Sequence, residues 1–386
     1  MLSRLLTPEQ VGASVALFTI LASCELVTTI GLEQFVMVNA GERRAQAVAA
    51  AQQMAFLRGL LLATAILILA PALAKLFGAG TRDISWLGVV SLINGLKNLR
   101  VFQIQQEYKF IPEAVSTIGG QFGAVIAVLA AAAWFQDERA MVASLAAEAI
   151  VNVALSYLLA PRERVAAIDP MMRRAALTFG LPLLLNGIGL MILGQSDRLI
   201  IINLFGLTTL ARYSLAVNLA IAPVSILSTI AGKLGMPFMT GARADHEAWR
   251  RASLILLLGV IVAAAYAVPV GLFLHRIVPL VYGAQYEVTP TFSLLMACVA
   301  FLRICRGGPN LVLLARSQTA SLTAGNMISG VGVLVGFLLG MRYGQVEMVV
   351  VGLIMGDALS LALLSVIVSR HLGVRRVTRS GAWRLF

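Results

Sequence analysis

The chain has 386 residues, 59% of them hydrophobic and only 12% charged, with a mean hydropathy of +0.88. A soluble domain carries about a quarter charged residues, so these values exclude one and require a chain that lives in a bilayer. The net charge of +12 would by itself allow a nucleic-acid surface, and the positions of the basic residues decide against it.

A hydrocarbon core of about 30 Å takes about 20 apolar residues of helix. Eleven segments meet that need: 11–32, 54–78, 84–104, 112–135, 140–160, 172–194, 207–236, 250–274, 288–306, 318–340 and 347–369. Ala, Leu, Val and Gly fill them without period-2 alternation, so they are helices rather than barrel strands. The first follows LLTPEQ, holds Glu25 and lacks a small-residue cleavage site, so it is a span and not a signal peptide. Arg58 lies one turn inside the second span, and Glu148 sits deep in the fifth. Asp197 and Arg198 stand at the end of the sixth, where the chain is expected to turn back. Pro182, Pro223 and Pro269 fall within spans and are expected to kink them. Arg303 and Arg306 in RICRGG share a face of the ninth span near its cytoplasmic end, the Gly332-Gly336-Gly340 series gives the tenth a small face for close packing, and Asp357 sits deep in the eleventh. Cys24, Cys298 and Cys305 lack metal-ligand spacing and are expected to be buried thiols.

Assigning each Lys and Arg to the nearer side of alternating spans puts 22 of the 30 on one side and 8 on the other. One miscounted span would mix the two sets downstream, so the bias supports the count, places the C-terminus in the cytoplasm and makes the basic balance a matter of topology. With eleven spans, LLTPEQ then lies outside. Internal matches follow the same order along the chain: 6–17 with 205–216, 70–79 with 275–284, 119–129 with 328–338, and LAAEAI (145–150) with IMGDAL (354–359). The last two share an offset of 209 residues. Spans one to five thus pair with seven to eleven, which leaves 172–194 alone and gives the expectation of a further span ahead of Met1. The fold class is an all-α polytopic membrane protein with two pseudo-symmetric bundles, 1–165 and 166–386, five plus six of a parallel six-plus-six design.

LLTPEQVG, FGLPLLLNGIGLMILGQSDRLIIINLFGLTTLARYSLA and LVLLARSQTASLTAGNMISGVG together resemble the polysaccharide flippases of the multidrug/oligosaccharidyl-lipid/polysaccharide exporter superfamily. The resemblance implies two bundles around a central cavity that move polyprenyl-diphosphate-linked saccharide across a bacterial inner membrane by alternating access. The wider superfamily includes multidrug and toxin extrusion antiporters, which makes a multidrug or cation antiporter of the same fold the alternative.

Each acid within a span is costly in hydrocarbon, about 2.5–3.5 kcal/mol at mid-bilayer on the insertion scale, so Glu25, Glu148 and Asp357 must face protein, water or a partner. Glu148 and Asp357 match in the duplication and would place one carboxylate at equal depth in the last helix of each bundle. A facing pair could take a shared H⁺ or Na⁺; alternatively each acid bonds Ser, Asn or Arg on a neighbouring helix. Glu25 matches Val224 and is a third candidate for ion coupling. For a diphosphate, Arg58, Arg303 and Arg306 supply guanidinium forks, against the alternative that they anchor the spans at the cytoplasmic face. Asp197 and Arg198 form either an outer gate or a helix-end pair. A membrane glycan polymerase or ligase would need a catalytic base in a roomy aqueous site. Here the external loops are short, with His275 their only histidine, and the chain has no phosphate-binding loop for ATP. No cofactor, metal or nucleic acid is expected; the partners are lipid-linked saccharide, membrane lipids and H⁺ or Na⁺.

Overall fold

A computed structural model describes residues 6–39, 44–105, 109–160, 170–240, 245–316 and 318–371. Twelve α-helices run through them: α1 (Pro8–Val27), α2 (Leu32–Val38), α3 (Arg44–Phe77), α4 (Thr81–Asn94), α5 (Arg100–Ile104), α6 (Ile111–Phe135), α7 (Arg139–Leu159), α8 (Pro170–Thr240), α9 (Asp245–Tyr282), α10 (Pro290–Ala315), α11 (Thr319–Tyr343) and α12 (Val346–His371). No strand occurs among the described residues, so the all-α class read from the sequence holds.

Nine of these helices are long and apolar enough to cross a membrane. The eleven expected spans reconcile with nine helices at two places. The 71 residues of α8 are two helices joined across Gly206, whose φ of 80° and ψ of 180° are non-helical. A positive φ is cheap only for glycine, so the sixth and seventh spans divide there, while Pro182 and Pro223 sit in α8 without a break. The 84–104 segment is α4 and α5, separated by a non-helical stretch.

That stretch shows how a broken helix survives in an apolar setting. The Gln52 amide of α3 donates to the Lys97 carbonyl (2.8 Å) and accepts from the Leu99 N–H (3.0 Å). The Asn98 N–H donates to Ser156 Oγ at 3.0 Å, and its carboxamide donates to the carbonyls of Ser156 and Ala160. Side chains of α3 and α7 thus satisfy backbone groups that lipid could not.

By contacts between residues the chain divides into two compact units, Met1–Ala211 and Arg212–Phe386. In the first, α6 packs along α7, and α4 packs on α3 and α7; a core of Phe35, Ala51, Met54, Leu99, Phe102 and Met172 joins α2, α3, α5 and the start of α8. In the second, α11 packs along α12, and α10 packs on α9 and α12. The α11–α12 contact is backbone to backbone: a Cβ on Gly332 would lie 2.5 Å from the Gly356 Cα. Large apolar side chains such as Ile68 (72% exposed), Phe122 (66%) and Leu280 (72%) point away from both cores. Such surface costs free energy in water and none in lipid. Cys305 is buried as expected, Cys24 is half-buried, and Cys298 departs from the expectation by standing exposed on α10.

Candidate functional site

In each unit one intramembrane acid is held by arginine, and the two settings differ. In the first, Glu25 occupies the last turn of α1, where the helix dipole disfavours a negative charge. Arg58 of α3 offsets this with a 2.9 Å ion pair from Nη2 to Glu25 Oε2, and the Asn94 carboxamide at the end of α4 donates to Oε1 at 3.1 Å. Both charged side chains keep about a quarter of their surface exposed, 25% for Glu25 and 23% for Arg58. One carboxylate against one guanidinium leaves this cluster formally neutral.

In the second unit, Asp357 on α12 meets the two arginines of α10. Arg303 Nε lies 3.3 Å from Oδ2 and Arg306 Nη1 3.0 Å from Oδ1. Ser329 Oγ of α11 donates to Oδ1 at 2.7 Å, and Arg306 Nη2 donates to Asn326 Oδ1 at 3.3 Å. The Asp357 side chain is only 5% exposed, Arg306 17% and Arg303 31%. The carboxylate is the sealed end of the cluster and Arg303 the open end. Two guanidinium groups against one carboxylate leave a formal charge of +1, which suits an anion.

The acids and arginines read from the sequence as separate candidates are therefore joined here: Glu25 with Arg58, and Asp357 with Arg303 and Arg306. Asn94, Asn326 and Ser329 were missed, although a polar residue in an apolar span always needs a partner and NMISG displays two of them. Glu148 stands apart. Among the described residues its side chain has no hydrogen bond or ion pair, and it faces Gly120 of α6, where a Cβ would lie 3.6 Å from Glu148 Cγ. At the offset of 209, Gly120 answers to Ser329 and Glu148 to Asp357. Each pair meets across its own helix crossing, with glycine in the first unit where the second has the serine that donates to the acid. The neighbouring pair at the same offset meets less closely in the first unit: a Cβ on Gly123 would lie 3.6 Å from the Ala147 carbonyl oxygen, against 2.5 Å from Gly332 to the Gly356 Cα.

Asp197 and Arg198 lie inside α8, and the chain breaks later, at Gly206. The Arg198 N–H donates to Asp197 Oδ1 at 2.8 Å, and its Nη1 donates to Gln195 Oε1 at 2.9 Å. Among the described residues no group of three or more His, Cys, Asp or Glu could hold a metal ion.

Comparison with known proteins places this geometry in context. A family model described as polysaccharide biosynthesis protein matches residues 1–290. No curated protein matches the chain by sequence. Among solved structures, an inward-facing multidrug resistance MATE family transporter of the MOP superfamily aligns over 99% of this chain and 96% of its own, with a TM-score of 0.62 and 15% identity. The lipid II flippase MurJ in an inward closed conformation aligns over 94% and 82%, with a TM-score of 0.76 and 10% identity. A MOP superfamily transporter from Pyrococcus furiosus aligns over 96% and 89%, with a TM-score of 0.51 and 14% identity. At such low identity these likenesses establish a shared fold.

Proposed function

The chain belongs to the polysaccharide biosynthesis protein family, and from that premise we propose that it is a transporter moving a polyprenyl-diphosphate-linked saccharide across a bacterial inner membrane by alternating access. The observation that carries this reading is the cationic cluster of Arg303 and Arg306 held within apolar helices, because two guanidinium forks fit the phosphate oxygens of such a substrate. MurJ, with the same fold, is a lipid II flippase. In this reading two repeat halves are the moving bundles, the C-terminus is cytoplasmic, and Arg58 with Glu25 forms a second polar station in the first unit. Asp197 and Arg198 belong to the outer gate. Transport is coupled to H⁺ or Na⁺ through Glu148, whose carboxylate is uncommitted, whereas Glu25 and Asp357 already hold guanidinium partners.

A cell lacking the gene tests this reading. It should lose surface polysaccharide and accumulate the lipid-linked unit on the cytoplasmic face of the inner membrane. The uncommitted acid also favours a second reading, a cation or multidrug antiporter, since a free carboxylate attracts cationic cargo. That reading wins if surface polysaccharide is unchanged and only tolerance to cationic drugs falls.

A further inference from the structure

We propose that Asp357 is the resident counter-ion of a phosphate site: it occupies Arg303 and Arg306 when the site is empty and competes with the incoming phosphate group for them. This rests on the transporter reading above and names what happens at its cationic cluster.

Three features support the assignment. The first is the half-used fork of Arg303. Its Nε is committed to Asp357 Oδ2, while among the described residues Nη1 and Nη2 have no partner. That terminal edge can bind two phosphate oxygens in parallel. The second is the gradient of exposure, from 5% at Asp357 to 31% at Arg303, which orders the cluster so that an anion reaches Arg303 first and the carboxylate lies behind it. The third is the charge. Asp357 neutralises one of two guanidinium groups, so the empty cluster avoids two bare cations in an apolar setting yet remains attractive to an anion. Ser329 and Asn326 hold the acid and Arg306 in place, so the site is preorganised rather than assembled by the ligand. A carrier that returns empty needs such a device, because the return would otherwise expose unpaired guanidinium groups to hydrocarbon. The equivalent place in the first unit lacks it: Glu148 faces Gly120 and has no arginine.

The competing account, in which Asp357 only props the arginines, predicts the opposite sign for one substitution. Asp357→Asn keeps the shape and removes the competing charge. Titration of inorganic pyrophosphate into the purified full-length protein in detergent should therefore show binding about five- to tenfold tighter in Asp357→Asn than in wild type. Asp357→Glu should stay near wild type, and Arg303→Gln should abolish binding. Equal or weaker binding in a folded Asp357→Asn protein overturns the proposal. If that variant does not accumulate, the wild type carries the test: pyrophosphate should protect Arg303, but not Arg58, from phenylglyoxal, and unprotected Arg303 overturns it. A short polyprenyl diphosphate should displace pyrophosphate where phosphatidylglycerol at the same concentration does not. Equal displacement would assign the arginines to bulk phospholipid headgroups and sink the substrate-site proposal. Pyrophosphate binding as expected in a chain whose loss leaves surface polysaccharide intact would keep the site and discard the transport reading; the reverse pattern would do the opposite.

Discussion

Arg58 and Glu25 are unequal partners. Removing Arg58 leaves a carboxylate in the last turn of α1 with only Asn94 and a dipole of the wrong sign, whereas removing the charge of Glu25 leaves a guanidinium still a quarter exposed. Arg58→Gln should therefore cost more stability than Glu25→Gln, about 1–3 kcal/mol against less than about 1 kcal/mol, and the double variant should recover part of the larger loss. Thermal unfolding in detergent measures all three; equal single losses that add would show the pair to be uncoupled. A second residue carries a pH signature. Asp83, in the first turn of α4 ahead of the apolar run, is 8% exposed, and its carboxyl is pushed above the usual range by burial first and by Glu138 and Asp137 beside it, against Arg139 and Arg82. An acid whose pKa rises on folding favours the fold in its neutral form, so its stabilisation is complete below the ordinary carboxylate pKa and is lost as pH rises through the raised value. Asp83→Asn fixes the neutral state. It should raise the unfolding midpoint at about pH 7–8 and leave it unchanged at about pH 3; a lower midpoint at neutral pH would mean that the charged form is the one the fold uses. At this scale the sequence showed which residues were costly, because an acid in an apolar run is visible by itself. It did not show the partners. Pairing Asp357 with Arg303 depends on the rotation of α10 and α12 about their axes, which packing decides and a single span does not encode.

The broken third span and the glycine crossing are properties of elements. Gln52 serves both a carbonyl and an N–H in the stretch between α4 and α5, so Gln52→Ala leaves two backbone groups unpaired and should cost about 1–3 kcal/mol, with faster amide exchange at Leu99 as a local readout. Unchanged exchange there would show that other groups satisfy the break. Gly332→Ala puts a methyl against the backbone of Gly356, which has no side chain to yield, and should cost a similar amount. Gly259→Ala in α9 is the control, since among the described residues nothing lies within 4 Å of its Cβ position, and it should be neutral or slightly stabilising. If both substitutions behave alike, backbone contact is not what holds α11 to α12. Helix existence was legible from apolar length alone. The division of α8 was legible only as two runs of sufficient length: a loop was expected near Asp197, and the structure instead continues the helix to Gly206, where a single positive φ suffices to end it. Pro182 and Pro223 forfeit a hydrogen bond without forcing a break, while the permissive residue marks the place where the chain departs from the helix.

For the whole molecule, duplication is read from a weak order of matches, and two crossings stand at its offset of 209, Gly120 over Glu148 and Ser329 over Asp357. The two units differ in charge: a neutral cluster and, among the described residues, an acid without a partner in the first, and a cationic cluster in the second. Under the proposed function, ion coupling belongs to Glu148 in the first unit and phosphate binding to the cluster in the second. Glu148→Gln should then abolish the dependence of transport on a proton or sodium gradient while leaving pyrophosphate binding intact; loss of both together would place the two functions at one site. The most direct measurement of the central claim is movement of the cargo itself. Purified protein reconstituted into liposomes with a fluorescent polyprenyl-diphosphate saccharide should expose inner-leaflet label to dithionite faster than protein-free vesicles do, and Arg303→Gln with Arg306→Gln should return the rate to that of the protein-free control. Label translocated no faster than in empty liposomes, in vesicles that do accumulate a cationic dye against an ion gradient, would contradict the account.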